Sequence, residues 1–168
     1  MARLLLQPEG KTMKNYQASI RAPFAHLGIR IIDNRLAAID FIGSGAEIKP
    51  ADDTTVNVCK QIRRYLDDPG ANQQFDIKYS FSATPFQQRV WSELKKIPPG
   101  KVVTYGELAK KLGTSARAVG NACRQNPVPV VIPCHRVVSA SGIGGYAGET
   151  GGDLLRIKSW LLQHEGSV

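Results

Sequence analysis

The sequence predicts an α+β protein, with an N-terminal small β-sheet lobe over residues 1–80 and a mainly helical lobe over 84–168. Three observations predict it. Residues 16–43, YQASIRAPFAHLGIRIIDNRLAAIDFIG, alternate short β-prone runs with turn formers. Thr84 with Gln87, and Thr104 with Glu107, each have the spacing of a capping box that starts a helix. The charge is also uneven: residues 1–84 hold 11 Lys and Arg against 9 Asp and Glu, whereas 85–168 hold 11 against 5.

In the first lobe, Pro23, Gly28 and the Asp33-Asn34 pair break the strands, which suits an antiparallel hairpin or meander. A helix over about 55–68 places Val58, Ile62 and Tyr65 on one face, and Asp67-Asp68-Pro69-Gly70 ends it. Residues 70–74 read as a polar linker, and 75–81 as a short strand.

In the second lobe, Pro85 occupies the first helical position. Phe86, Val90, Leu94 and Ile97 line one face of that helix, and Pro98-Pro99-Gly100 stops it. A second helix starts at Thr104, with Leu108, Ala109 and Leu112 as its apolar face, and Gly113 ends it. A third follows over about 115–124, and the two form a helix-turn-helix. Ala116, Val119, Gly120 and Cys123 should pack inward. Arg117, Asn121 and Arg124, at i, i+4 and i+7, share a basic face flanked by Ala118, Gly120 and Ala122, small residues that let a backbone approach a nucleic-acid groove. Residues 127–133 carry prolines and β-branched residues that exclude a helix, so a buried extended segment is expected before Cys134. The last helix is expected over about 153–164, with Gly166 beyond it.

A hydrophobic content of 42% suits a globular chain. No apolar run approaches the ~20 residues of a membrane helix, and MARLLLQPEGK is too short in apolar residues for a secretory signal. Cys59, Cys123 and Cys134 are odd in number and form no C-x-x-C, which argues against a disulfide framework or zinc knuckle and for the reducing cytoplasm. A net charge of +8, concentrated in the second half, points to a polyanion as partner.

The chemistry centres on Cys134-His135. A thiol needs a nearby base or cation to ionise at neutral pH, and His135 supplies one if a turn brings both side chains to one side. The same pair also fits a structural thiol beside a hydrogen-bonded imidazole. Glu165 continues the apolar face of Leu154, Ile157 and Leu161, so its carboxylate needs a buried partner. An imidazole N–H would give a Cys–His–Glu relay.

The stretch IPCHRVV, with NPVP and RAVG before it and GYAG and WLLQHEG after it, resembles the O6-alkylguanine-DNA alkyltransferases. PFQQRVW and IPPGKVVTYGELA match as well, so the likeness covers about 84–166. The resemblance implies a ribonuclease-H-like first lobe, a winged-helix-like second lobe, and irreversible transfer of the alkyl group from O6-alkylguanine, and from O4-alkylthymine, to Cys134. His135 would take the thiol proton through a water, Glu165 would orient His135, Asn126 would brace the turn, and Tyr105 would hydrogen-bond the departing guanine. Arg117 would fill the gap left by the flipped base, with Thr104, Ser115, Ala118, Asn121 and Arg124 also on the DNA. Val137, Tyr146, Ala147 and Gly148 would wall the base pocket. Residues 149–153 add length to the usual pattern and bear on the pocket's lid. No cofactor and no metal is implied, and the partner is duplex DNA met by a monomer. A cysteine hydrolase would need an oxyanion hole that nothing in the chain marks. A non-reacting damage sensor would lack the acceptor cysteine, and a plain helix-turn-helix regulator leaves PCHRVV unexplained.

Overall fold

A computed structural model describes residues 16–43, 45–70, 74–147 and 150–168. The chain divides into two compact units, Met1–Phe81 and Ser82–Val168.

The first unit holds a three-stranded antiparallel sheet, β1 (Ala18–Arg21), β2 (His26–Ile32) and β3 (Arg35–Ile42), in the order β1-β2-β3. Asp33 and Asn34 both have positive φ, 49° and 57°, as a two-residue hairpin loop that matches the strand twist requires. A bulge lies between Arg30 and Ile31. Helix α1 (Asp53–Asp67) starts where Asp52 accepts a hydrogen bond from the Thr55 backbone, a cap worth about 1 kcal/mol. It packs on β1. Its buried face, Val58, Cys59, Ile62 and Tyr65, belongs to a core that includes Ile20, Leu27, Ile29, Leu36, Ile39 and Phe41. The expected strand over 75–81 is reduced to one parallel bridge between Leu36 and Tyr79. Leu36 alone bonds both Lys78 and Ser80, so the ladder does not extend. Part of the 70–74 linker, residues 71–73, lies outside the described residues.

The second unit contains α2 (Pro85–Lys95), β4 (Val103–Thr104), α3 (Tyr105–Leu112), α4 (Ala116–Arg124), a 3₁₀ turn (Cys134–Arg136), β5 (Val137–Val138) and α5 (Gly152–His164). Both capping boxes are formed, and α3 ends at Gly113 in the left-handed conformation, φ 66°. Val90, Trp91, Leu94 and Ile97 are buried, while Phe86 is only half-buried. The indole N–H of Trp91 donates to Ala122 O at 2.9 Å, pinning α2 to α4. That contact turns Ala122 inward with Val119 and Cys123, whereas Ala116 is exposed and Gly120 half-buried, which corrects the expected inner face of α4. Pairing of β4 with β5 is parallel, Val103 with Val137 and Thr104 with Val138, and it ties the start of α3 to the residues after the 3₁₀ turn. No helix among the described residues is long and apolar enough to cross a membrane.

Candidate active site

Residues 128–133 are buried, as expected, with Pro127 half-buried, but the segment is not extended. They fold into a tight turn in which the Ile132 N–H donates to Val128 O at 2.9 Å and Val130 takes φ 73°. A left-handed β-branched residue costs roughly 1–2 kcal/mol, so the surroundings must hold it. Asn126 does so. Its buried amide donates to Ile132 O at 2.8 Å, and its Oδ1 accepts from the Val128 N–H at 3.0 Å. Prolines at 127, 129 and 133 remove backbone donors, and the Asn126 side chain serves the groups left without regular partners. The same Nδ2 lies 3.3 Å from the Cys134 sulfur.

Cys134 therefore leads into a 3₁₀ turn rather than ending a strand, with the Arg136 N–H donating to Pro133 O and the Val137 N–H to Cys134 O. Burial pushes the Cys134 thiol up, against hydrogen bonds from Asn126 and Tyr146 and the charge of Lys158, which hold it down. With a pKa above the ordinary one, the resting thiolate fraction lies below the roughly 3% of a free cysteine at pH 7. The three cysteines are free and buried.

His135 is fully buried on the same turn, and its Nε2 lies 2.8 Å from Glu165 Oε1. Glu165 caps the C-terminus of α5, where the helix dipole disfavours a carboxylate. Two neighbours offset this. Arg136 Nε donates to Oε2 at 3.0 Å, and its Nη2 to Oε1 at 2.7 Å. Burial works to raise the Glu165 pKa, but the bonds and charges of His135 and Arg136 outweigh it and hold the pKa at about 2. Burial pulls the His135 pKa down against the opposing influence of Glu165, so the imidazole is neutral beside an ionised carboxylate. An ionised carboxylate only accepts, so Nε2 carries the ring proton and Nδ1 presents a lone pair. Among the described residues Nδ1 has no hydrogen-bond partner. The site thus holds a buried base with its accepting nitrogen open.

Tyr105, the first residue of α3, donates to Gly145 O at 3.3 Å. Burial raises its pKa, so the phenol keeps its proton. Gly144 has φ 74°, and a Cβ there would lie 2.9 Å from Ser139 N, so only glycine lets this wall approach. Tyr146 and Val137 are buried, and Ala147 is left-handed at φ 52°. Gly148 and Glu149 lie outside the described residues.

On α4, Arg117, Asn121 and Arg124 are exposed and Ala118 is half-buried. Ser115 caps α4 by accepting from the Ala118 N–H at 3.2 Å. Thr104 Oγ1 is occupied at both ends, accepting from the Glu107 N–H and donating to its carboxylate. The structure thus brings together Cys134 with Asn126 and Tyr146, and His135 with Glu165, while the α4 residues form a separate exposed face. Sequence reasoning missed two residues. Arg136 was readable as the basic neighbour of His135. Lys158 was readable as a lone cation among Leu154, Leu161 and Leu162 on the buried face of α5. Among the described residues no group of three or more His, Cys, Asp or Glu could hold a metal ion.

A family model described as the DNA-binding domain of 6-O-methylguanine DNA methyltransferase matches residues 85–167. The methylated-DNA–protein-cysteine methyltransferase of Methanosarcina acetivorans is 35% identical over 161 residues, which are 90% of this chain and 99% of the relative. The crystal structure of the Mycobacterium tuberculosis O6-methylguanine methyltransferase is 33% identical, with a TM-score of 0.72 over 89% of this chain and 91% of that one. The Mycobacterium tuberculosis protein in complex with DNA is 31% identical, with a TM-score of 0.71. Matched over nearly the whole length of such a relative, this chain belongs to the methylated-DNA–protein-cysteine methyltransferase family.

Proposed function

We propose that this protein repairs DNA directly, moving the alkyl group of O6-alkylguanine, and of O4-alkylthymine, irreversibly to Cys134. The observation that carries the reading is a buried thiol held by Asn126 one residue before an imidazole whose other nitrogen is bound to ionised Glu165. In the step, the Cys134 proton passes through a water to Nδ1 of His135. The sulfur bonds the alkyl carbon as the carbon–O6 bond breaks, and its electron pair leaves with guanine. Tyr105 hydrogen-bonds the departing base, which takes up, in place of the alkyl group, the proton that left the sulfur, returned from His135 through the water. Substrate and water supply the polarity that the resting pocket lacks, and in-line positioning and the Tyr105 donor provide most of the rate.

A stacked guanine cannot reach a buried sulfur, so the nucleotide flips out at a cost of a few kcal/mol. Arg117 enters the duplex and offsets part of that cost, while α4 lies in the minor groove, which carries little sequence information and suits an unspecific search. Ser115, Ala118, Asn121, Arg124 and the cap at Thr104 complete the DNA face. Val137, Tyr146, Ala147 and Gly148 wall the base pocket. In this reading residues 1–80 form a ribonuclease-H-like lobe, residues 84–168 form the winged-helix-like catalytic and DNA-binding domain, and the protein works as a cytoplasmic monomer without cofactor.

The product is a thioether with no leaving group, and neither Cys59 nor Cys123 lies in a sequence motif that suggests a resolving thiol. Titrating the protein with excess duplex carrying O6-methylguanine should give a burst that plateaus near one methyl per protein, with Cys134 heavier by about 14 mass units, one CH₂ on the sulfur. Repair continuing well past the amount of protein, or mass appearing on another residue, overturns the reading.

A further inference from the structure

A second thiol lies beside the acceptor. Cys123 sits in the last turn of α4 at 7% exposure, with Val119 and Ala122 on the same buried face. Asn126 bridges the two cysteines. Its backbone N–H donates to Cys123 O at 3.2 Å, and its side-chain amide reaches the Cys134 sulfur at 3.3 Å. The Tyr105 ring lies against the same helix face. A Cβ at Gly120, one turn before Cys123, would lie 3.9 Å from that ring, and one at Gly144 in the pocket wall 3.4 Å from it. Burial pushes the Cys123 thiol up, and the charge of Cys134 adds to the rise. Burial likewise raises Tyr105, with further contributions from Cys123 and then Cys134. The two sulfurs and the phenol therefore form one buried cluster, each within electrostatic reach of the others. A buried thiol packs as a small apolar side chain, so the core of α4 does not itself call for sulfur at this position. Transfer of a methyl group uses only the other sulfur.

We propose that Cys123 is a second alkylation site: when the transferred group carries a leaving group on its far carbon, as in a 2-haloethyl lesion, Cys134 takes the near carbon and Cys123 closes on the sulfonium that follows. This rests on Cys134 being the alkyl acceptor. After transfer from O6-(2-chloroethyl)guanine, Cys134 holds S–CH₂CH₂–Cl, and guanine has taken up the first proton. The Cys134 sulfur then displaces chloride from the far carbon and closes a three-membered cyclic sulfonium. The Cys123 sulfur attacks a ring carbon, and the electron pair of the broken carbon–sulfur bond returns to Cys134. The Cys123 proton passes to Nδ1 of His135, which is neutral again. The products are two thioethers joined by an ethylene bridge, one chloride and one proton. Neighbouring groups compete poorly. Tyr105 keeps its proton, and burial lowers Lys158 only to about 8, which leaves its lone pair protonated at neutral pH. Arg136 is committed to Glu165 and Ile97 O. The positive sulfonium favours the Cys123 thiolate against the burial that opposes it. A nucleophile held beside its target acts at an effective concentration of ~10⁵ M or more, so Cys123 outruns water and the bases of the duplex. A 2-haloethyl thioether is itself an alkylating agent, poised against the DNA just repaired, and the second thiol closes it inside the protein.

The test mixes wild type, Cys123→Ala and Cys123→Ser with duplex DNA carrying freshly prepared O6-(2-chloroethyl)guanine. Peptide mapping by mass locates the alkyl group, and a denaturing gel measures protein bound covalently to DNA. Wild type should give the peptides of Cys123 and Cys134 joined, about 26 mass units heavier than the pair, the value for one C₂H₄ replacing two thiol hydrogens. Neither variant should give joined peptides. Their Cys134 should instead be about 44 mass units heavier, a hydroxyethyl group left by capture with water. The fraction of protein crosslinked to DNA should rise in both. Wild type that ends with hydroxyethyl on Cys134, or bridged to a residue other than Cys123, overturns the proposal, and this outcome needs no variant to fold. Duplex carrying O6-methylguanine is run alongside, because methyl transfer needs only one thiol. Wild type that takes no methyl onto Cys134 overturns the alkyl-acceptor reading itself. Methyl on Cys134 with no bridge from the chloroethyl lesion overturns only the role of Cys123.

Discussion

Glu165 Oε1 lies 2.8 Å from His135 Nε2, with both side chains at 0% exposure, and the same oxygen accepts from Arg136 at 2.7 Å. One carboxylate thus orients the base and neutralises a buried guanidinium. The folded-state pKa of Glu165, about 2, lies below the ordinary glutamate value of about 4.3. A depressed pKa contributes stability that is present above the unfolded value and lost as pH falls through the folded one. About 3 kcal/mol should therefore disappear between about pH 5 and pH 2. Denaturant unfolding of Glu165→Gln across this range should lack most of that loss. The variant should also be less stable at pH 7, by about 3–5 kcal/mol, because Arg136 is left buried without its counter-ion. A wild-type acid profile no steeper than that of Glu165→Gln would contradict the assignment.

Asn126 holds the turn before Cys134 through three hydrogen bonds, to Ile132 O, from the Val128 N–H and to the Cys134 sulfur. Asn126→Ala should cost about 2–4 kcal/mol in unfolding free energy, because a buried carbonyl and a buried N–H lose partners around a strained Val130. Transfer should slow as well, since the sulfur loses a donor that favours the thiolate. Stability within 0.5 kcal/mol of wild type, roughly the scatter of surface substitutions, would show that the turn holds without it.

Cys134→Ala should abolish transfer while leaving duplex affinity nearly unchanged. The thiol is buried in the pocket, and contacts to phosphate dominate affinity for DNA. Fluorescence anisotropy at fixed salt gives the comparison. Loss of both properties together would make Cys134 a structural residue.

Arg117 and Tyr105 should separate by substrate. Arg117 is exposed on α4, so Arg117→Ala should slow repair in duplex DNA far more than reaction with free O6-benzylguanine, which needs no flipping. Tyr105→Phe removes a donor from the pocket and should slow both, by about tenfold or more. Equal losses on the two substrates in Arg117→Ala would remove its role inside the duplex.

Helix starts and stops were legible in the sequence because capping is local. Thr84, Thr104 and Ser115 bond backbone groups within three residues, and Gly113 meets a conformational need of its own. The hairpin at Asp33-Asn34 and the buried face of α1 were legible for the same reason, the first from two residues and the second from a period. Burial of Glu165 was legible from its place on an apolar face, since a carboxylate there must find a partner. Tertiary structure alone decided who that partner set is. Arg136 and His135 reach Glu165 across 29 and 30 residues, and Lys158 reaches Val137 across 21. It also decided the path of residues 127–133, where β-branched composition favours extension and a single side-chain amide, Asn126, outweighs it with hydrogen bonds. Propensity acts residue by residue at a fraction of a kcal/mol, whereas a buried polar group left unmatched costs about 1–3 kcal/mol, so the groups that must be matched in the core choose the turn.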